Sequence, residues 1–301
     1  MKSYLKAMRL GRWPRSLVIF IGIGVFFLLN MGELKSLPIP VVALKLFLAF
    51  LLTWAVSTAN YILNEIVDAP FDVHHPTKKN RPLVQGQIKK IPFLLIGVFL
   101  ILASLSLSYI VFSSAFLLSL SALFLAGVIY NVKPIRTKDI PFLDSISESA
   151  NNPIRFLIGW FTFASPTIYP PLSLLLSWWS FGNFLMIAKR LSEFRFLQEK
   201  AGIYRASLKR YSQKSMVWGM GISAGIALGG FVWFAWVFGV DYFLYLSPLI
   251  ALYLVFILIK TLREKEVMEE PEGLFHHLLF TLYTSVLIFL FFLSFFVGKV
   301  D

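Results

Sequence analysis

The chain has 301 residues, of which 57% are hydrophobic and 15% are charged, and it contains no cysteine. Globular proteins carry about a quarter charged residues, so this composition is typical of a membrane protein. The lack of cysteine excludes disulfides, thiolate nucleophiles and thiolate-bound metals. A net charge of +12 can indicate a nucleic-acid partner, but here the basic residues lie beside apolar segments, which argues against one. This arrangement favours an anionic membrane face or a phosphate-rich substrate.

Apolar segments long enough to cross a bilayer follow one another along almost the whole chain. A spanning helix needs about 20 mainly apolar residues. Segments of this kind are predicted at 16–34, 40–63, 92–112, 114–131, 143–164, 169–188, 215–238, 242–261 and 276–298. No linker or soluble domain separates them. We therefore predict an all-α membrane protein, a single domain over residues 1–301 with a bundle of nine transmembrane helices.

The distribution of lysine and arginine predicts the orientation in the membrane. If the N-terminus is cytoplasmic, 24 of the 28 basic residues lie on the cytoplasmic side. Cationic loops stay in the cytoplasm during insertion. We therefore predict an integral protein of a bacterial or archaeal cell membrane, with its C-terminus outside. All the unusual polar clusters fall on the cytoplasmic side, where we expect the cavity of an active site.

The first polar cluster, NEIVDAPFDVHHPTKKNRPL, directly follows the second predicted span. At their spacing, Glu65, Asp68 and Asp72 lie on one face of a helix. Their carboxylates and the amide oxygen of Asn64 are hard oxygen ligands, which suit Mg²⁺. Proteins usually hold this ion with one or two carboxylates plus substrate phosphates. The alternative is an ordinary interfacial loop whose acids face water.

Basic residues accompany these acids on the same side of the predicted membrane. Lys79 and Arg81 belong to the first cluster, and Lys133 and Arg136 precede the fifth predicted span. Guanidinium groups bind phosphate oxygens through paired hydrogen bonds, and ammonium groups bind them as point charges. We predict that these four cations bind the phosphates of a substrate, and that Tyr130 lies in the same binding site.

The fifth predicted span is the most polar one. If it is a single helix, one stripe of that helix carries Asp144, Glu148, Asn151, Asn152 and Arg155. A polar stripe on a membrane helix faces a bundle interior or a wet cavity, because lipid cannot solvate it. We predict that Asn152 and Arg155 bind substrate. For Asp144 and Glu148, the alternative is an ionic network with Arg155 or a lysine that only packs helices together.

A third polar cluster, AKRLSEF, follows the sixth predicted span. Lys189 and Glu193 lie one helical turn apart, so both could face the same cavity as Arg190. The basic residues from Arg195 to Lys214 are typical of an amphipathic segment that lies on anionic lipid. We therefore predict site roles only for the first three residues, with Arg190 and Glu193 in substrate binding.

At these clusters the sequence resembles the UbiA superfamily of intramembrane prenyltransferases. The first family motif, Asn-Asp-x-x-Asp-x-x-x-Asp, is matched by Asn64, Glu65, Asp68 and Asp72, with a glutamate in place of the first aspartate. The segment KKNRPL stands where the family has Lys/Arg-x-Arg-Pro. The resemblance implies a nine-helix Mg²⁺-dependent transferase acting on a polyprenyl phosphate or diphosphate. For this reaction, we assign catalytic roles to Asp68, Asp72 and Lys189.

The second family motif is an aspartate pair, and here it is replaced by AKRLSEF. This is similar to the branch that contains decaprenyl-phosphate phosphoribosyltransferase, where Lys-Arg-x-x-Glu stands at that place. The resemblance therefore implies transfer of phosphoribose from phosphoribosyl pyrophosphate to a polyprenyl phosphate, with release of pyrophosphate. Two alternatives stay open. One is prenylation of an aromatic acceptor by a polyprenyl diphosphate, and the other is non-catalytic carriage of an anionic lipid.

Overall fold

The computed structural model of the chain describes residues 2–30, 32, 37–73, 78–263 and 278–297, and these residues form helices and no strands. The α-helices, numbered in chain order, are α1 (Lys2–Ala7), α2 (Ile19–Leu29), α3 (Ile39–Asp72), α4 (Lys90–Val111), α5 (Ser114–Asn131), α6 (Leu143–Ser149), α7 (Asn151–Trp160), α8 (Leu172–Leu197), α9 (Ala201–Tyr204), α10 (Gln213–Phe238), α11 (Ser247–Arg263) and α12 (Leu278–Val297). Short 3₁₀ helices lie at Leu10–Val18, Lys78–Asn80, Thr137–Asp139, Gln198–Lys200, Ala206–Arg210 and Asp241–Leu246. The predicted all-α fold is confirmed for the described residues.

Within the described part of the chain, six helical segments are long and apolar enough to cross a membrane. They are Lys2–Leu29, Ile39–Asp72, Lys90–Val111, Ser114–Asn131, Gln213–Phe238 and Leu244–Arg263. Each of them overlaps one of the predicted spans. The three other predicted spans correspond to α6 with α7, to α8 and to α12, which are helical but fall outside that set. The membrane class therefore agrees with the sequence, and the count of nine spans stays a prediction.

The helix α3 carries the first polar cluster. It begins after Pro38, with Pro40 in its first turn, where the missing N–H leaves no hydrogen bond unmade. It then continues without a break to Asp72, well beyond the predicted end of the second span. Residues 64–72 are thus helical, and acids three or four residues apart lie along one side of the last turns.

The predicted fifth span is not a single helix, which corrects the expectation of one continuous polar stripe. The helices α6 and α7 are separated at Ala150. The cause lies in Pro153, which has no N–H to bond to the carbonyl four residues earlier. Asp144 and Glu148 lie on α6, whereas Arg155 lies on α7.

Backbone contacts divide the chain into two compact units. The first unit comprises residues 1–137 and 151–170. In it, α3 packs against α4 and α5, and α2 packs against α7. Gly22 and Gly159 permit the second of these contacts. A Cβ atom at either position would overlap the carbonyl oxygen of the facing helix, at Phe156 or Ile19. Small residues of this kind let membrane helices approach closely.

The second unit comprises residues 138–150 and 171–301. Its main contact joins α8 and α10 along much of their length. A cluster of buried apolar side chains fills this contact, and it includes Phe184, Ile187 and Leu191 of α8 with Met216 and Met220 of α10. The short helix α6 packs against α8, and this contact places its acids beside the third polar cluster.

Candidate active site

The carboxylates at the end of α3 are largely removed from solvent. Glu65 is 1% exposed and Asp72 is 5% exposed, whereas Asp68 and Asn64 are half-buried. A buried carboxylate is costly unless a cation or several hydrogen bonds compensate its charge. The structure supplies that compensation with arginines from three other segments of the first unit.

Three guanidinium groups surround these acids. Arg9 Nη2 donates to Glu65 Oε2 at 2.8 Å, and Arg81 Nη1 lies 3.5 Å from the same oxygen. Arg81 also donates to Asp72. Arg136 Nη2 lies 3.6 Å from Asp68 Oδ1. The structure thus brings together the acids and two of the cations that the sequence predicted, Arg81 and Arg136.

Two of the predicted phosphate ligands, Lys79 and Lys133, are not paired with these acids. Lys79 and Lys133 are exposed, and neither forms an ion pair in the described part of the chain. Tyr130 and Asn152 are half-buried in the first unit. Arg155 is buried, and its Nη2 lies 3.4 Å from Ser57 Oγ of α3. Its guanidinium therefore packs against protein, as expected for a basic residue in an apolar helix.

Arg9 is a site residue that the sequence analysis missed. It lies 56 residues before Glu65, and its backbone is left-handed, with φ of 53°. That conformation is uncommon for a residue other than glycine. Beside the Arg9–Glu65 pair is a cavity of about 300 Å³, whose lining also includes Lys6, Asn80 and Arg81. Its walls offer several cations and one carboxylate, which suits a phosphorylated ligand.

The oxygen atoms at this site also fit a divalent cation. Glu65 Oε1 is buried without a hydrogen-bond partner, although the other oxygen of that carboxylate is paired. Among the described residues, no three acidic or histidine side chains converge closely enough to enclose a metal. Such an enclosure is not required for Mg²⁺, which usually keeps one or two protein carboxylates and takes its other oxygens from water and substrate phosphates.

In the second unit, Arg190 lies at the centre of a group of carboxylates. Its side chain is 0% exposed, with Nε 3.1 Å from Asp144 Oδ2 and Nη1 2.7 Å from Glu193 Oε2. Its Nη2 donates to Glu148. The neighbouring Lys189 Nζ lies 3.7 Å from Glu148 Oε1. Arg190 is thus a partner of both Asp144 and Glu148 that the sequence had not suggested, and the lysine that it had suggested is present as Lys189 beside Glu148.

Asp144 is fully buried and accepts further hydrogen bonds from the segment that follows α9. The Tyr211 hydroxyl donates to Asp144 Oδ1 at 2.6 Å, and Ser207 Oγ donates to Oδ2 at 2.9 Å. Arg205 Nε lies 3.5 Å from Oδ2. Burial raises the pKa of the Tyr211 hydroxyl, and the charge of the hydrogen-bonded Asp144 raises it further. The phenol therefore stays protonated as a donor.

These contacts correct one sequence-based interpretation. The segment from Arg195 to Lys214 was expected to be amphipathic, with its charged side chains at the lipid surface. Arg195 instead donates to the carbonyl oxygen of Thr261 at 2.6 Å, and Ser207 and Tyr211 are buried. A segment rich in basic residues can therefore contact buried groups of the protein as well as lipid. Which of these it contacts depends on how the helices pack.

Comparisons with known proteins agree with this fold. The model of the UbiA prenyltransferase family matches residues 17–279. No match was found among curated protein sequences. Among solved structures, a UbiA homologue from Archaeoglobus fulgidus bound to GPP and Mg²⁺ has a TM-score of 0.69 at 18% identity, over 99% of this chain and 100% of that one. The same homologue has also been solved bound to DMAPP and Mg²⁺, with the same TM-score, identity and coverage.

A digeranylgeranylglyceryl phosphate synthase studied in membranes is similar to the chain as well. Its TM-score is 0.67 at 15% identity, over 99% of this chain and 97% of that one. At such low identities, the likeness to solved structures establishes the fold alone. The family, in contrast, is established by the match of its model to most of the chain.

Proposed function

Because the chain belongs to the UbiA prenyltransferase family, we propose that it is a Mg²⁺-dependent membrane transferase with its active site at the end of α3. One observation carries this proposal. The carboxylates of Glu65, Asp68 and Asp72 line the last turns of a membrane helix, with Arg9, Arg81 and Arg136 paired to them. Paired acids and arginines suit a substrate that brings both phosphate oxygens and a metal ion.

The residues at the end of α3 have different roles in the proposed binding of a diphosphate. Asp68 and Asp72 would hold Mg²⁺, with Asn64 and Glu65 in support. A bound Mg²⁺ neutralises negative charge that develops on the departing pyrophosphate. Arg81 and Arg136 exchange their carboxylate partners for phosphate oxygens when the substrate binds, since guanidinium pairs with either group in the same geometry.

For the donor, we propose phosphoribosyl pyrophosphate, and for the acceptor a polyprenyl phosphate. In this reaction the bond between ribose C1 and the pyrophosphate oxygen breaks, and pyrophosphate leaves with the electron pair. An oxygen of the polyprenyl phosphate then bonds to C1. The support is Lys189-Arg190-x-x-Glu193 in place of an aspartate pair, because a donor with a second phosphate needs additional cations.

The contacts within the second unit suggest different roles for Lys189 and Arg190 in this proposal. Arg190 is surrounded by three carboxylates, so it positions Glu148 and Glu193. Lys189, whose side chain is 16% exposed and paired only at 3.7 Å, is the better ligand for the 5-phosphate of the donor. We therefore propose Lys189 as the catalytic cation of the third cluster and Glu193 as a substrate-binding residue of that cluster.

The second candidate function is prenylation of an aromatic acceptor by a polyprenyl diphosphate. It is favoured by the family name and by the solved UbiA homologue that binds GPP and DMAPP with Mg²⁺. In that reaction the first motif would act in the same way on the diphosphate. The candidates therefore differ in the groups that surround the reacting carbon, and in the second substrate.

A transfer assay with purified protein separates these functions. We expect that Mg²⁺, a polyprenyl phosphate and ribose-labelled phosphoribosyl pyrophosphate give labelled lipid and pyrophosphate, and that chelation of Mg²⁺ stops the reaction. Consumption of a polyprenyl diphosphate with an aromatic acid, and none of the sugar donor, would favour the second candidate. Release of no pyrophosphate from any donor would leave only the carrier function.

The organisation in the membrane is also part of the proposal. One family model covers residues 17–279, which include most of both compact units, and this supports a single functional domain. We propose that the N-terminus and the active site are cytoplasmic and that the C-terminus is outside. The excess of lysine and arginine on one predicted side of the membrane supports this orientation.

A further inference from the structure

A second cavity of the first unit lies at the other end of α3. It has a volume of about 290 Å³, and its lining includes Lys45, Phe26 near the end of α2, and Ser113 just before α5. The segment that follows α7 supplies most of the remaining lining. From Lys45 to Asp72, an α-helix rises about 40 Å, which exceeds the hydrocarbon thickness of a bilayer. The cavity and the candidate active site therefore lie toward opposite ends of a helix that is long enough to span the bilayer.

Lys45 is an unusual residue for this position. It lies inside a helix that is apolar enough to span the membrane, and its Nζ is 5.7 Å from the centre of the Phe163 ring. Among the described residues, no carboxylate forms an ion pair with it. A cation in a transmembrane segment is costly unless it is paired. The attraction to an aromatic ring offsets only part of that cost.

The remainder of the lining suits an anion. Among the described residues, this lining contains no acidic side chain, and it includes the hydroxyl groups of Ser113 and Ser165. Ser113 is the N-cap of α5, where the helix dipole also favours negative charge. Next to Lys45 on α3, the side chains of Leu44 and Phe47 are 57% and 60% exposed. Exposed apolar side chains thus lie close to Lys45 along α3.

We propose that this cavity binds the phosphate group of an anionic phospholipid in the leaflet opposite to the active site. The ammonium group of Lys45 pairs with the phosphate, and hydroxyl groups at the rim donate to the remaining oxygens. The acyl chains lie along the exposed apolar side chains of α3. A lipid satisfies both parts of the surface, whereas a free phosphate ion satisfies only the cation.

Lipid binding to the full-length protein in neutral detergent tests the proposal. Phosphatidylglycerol should raise the midpoint of thermal unfolding and remain bound in native mass spectrometry, and phosphatidylcholine should do neither. Lys45→Gln should reduce retention of phosphatidylglycerol at least about tenfold, the effect of one lost charge-assisted contact. Lys45→Arg should retain it. The matched control is Lys90→Gln, at an exposed lysine where α4 begins.

A second variant covers the case in which Lys45→Gln fails to fold. Ser165 is exposed, so Ser165→Trp fills the mouth of the cavity and keeps Lys45, and it should also release the lipid. Transfer activity should not change in either variant, because the candidate active site lies at the other end of α3. Equal retention of phosphatidylglycerol by wild type, Lys45→Gln and Ser165→Trp would overturn the proposal. Stabilisation by inorganic phosphate alone, to the same extent as by the lipid, would overturn the assignment to a lipid.

Discussion

At the scale of single residues, the candidate site consists of acids that already have basic partners. Glu65, Asp68 and Asp72 each contact an arginine, and the partner of Glu65 comes from the N-terminal segment through Arg9. Such pairs offset part of the cost of burying carboxylates in a poorly solvated place. In the proposed function, they would also hold the acids in position for a phosphate and its metal ion, which is the preorganisation that catalysis by electrostatic stabilisation requires.

Asp68 offers the cleanest test of the metal assignment. Asp68→Asn should lower turnover at least about 100-fold, because a metal ligand contributes several kcal/mol of stabilisation to the departing charge. Its side chain is 18% exposed and its ion pair is long at 3.6 Å. The substitution should therefore change the free energy of unfolding by less than about 1 kcal/mol. The control is Glu199→Gln, at an exposed acid outside the site. Wild-type turnover in Asp68→Asn would contradict the assignment.

Lys189 and Arg190 are neighbours with different expected roles. Arg190→Gln should destabilise the protein by about 3–5 kcal/mol, since it leaves buried carboxylates without their cation. Lys189→Gln should leave stability nearly unchanged and raise the KM for the donor. Denaturation and initial-rate kinetics on the two variants measure this difference. A stable Arg190→Gln variant with a raised KM would instead assign Arg190 to the substrate.

At the scale of helices, close packing depends on glycines that face another backbone. A Cβ atom added at Gly159 of α7 would overlap the carbonyl oxygen of Ile19, whereas one added at Gly225 of α10 would lie within 4 Å of no neighbouring atom among the described residues. Glycine is a poor helix former in both places. Of these two positions, Gly159 therefore requires glycine for packing, whereas no contact in the described part of the chain explains the glycine at Gly225.

These two glycines predict opposite effects of the same substitution. Gly159→Ala should destabilise the protein by about 1–3 kcal/mol, because the added methyl group forces α2 and α7 apart. Gly225→Ala should be neutral or stabilising by up to about 1 kcal/mol. Thermal unfolding in one detergent compares them directly. Equal shifts in both variants would show that the contact between α2 and α7 does not limit stability.

At the scale of the whole molecule, the distribution of charge predicts which loops are cytoplasmic. The chain has no cysteine, so single cysteines can be introduced without background labelling. Tyr169 and Lys133 are both exposed and lie in loops that the charge distribution assigns to opposite sides. Tyr169→Cys should react with a membrane-impermeant maleimide in intact cells, and Lys133→Cys only after permeabilisation. The reverse pattern would invert the predicted orientation.

Properties that depend on residues close together in the chain could be predicted from the amino-acid sequence. Hydrophobic runs and helical spacing are local, so the membrane class, the helical fold and the continuation of α3 to Asp72 could be predicted. The oxygen-rich motif with Arg81 and Arg136 was predicted for the same reason, since its residue types indicate its chemistry. Such patterns specify which groups are present, but they do not specify the distant partner of each group.

Contacts between groups far apart in the chain became known from the packing of the helices. The pairing of Arg9 with Glu65 joins residues 56 positions apart, and that of Tyr211 with Asp144 joins residues 67 positions apart. The burial of Arg190 among carboxylates likewise could not be predicted from AKRLSEF, because in that motif Arg190 was interpreted as a cation available to the substrate. The reason is physical: the energy of a charged group depends on its solvation and on charges within a few ångströms, and both are set by how the helices pack.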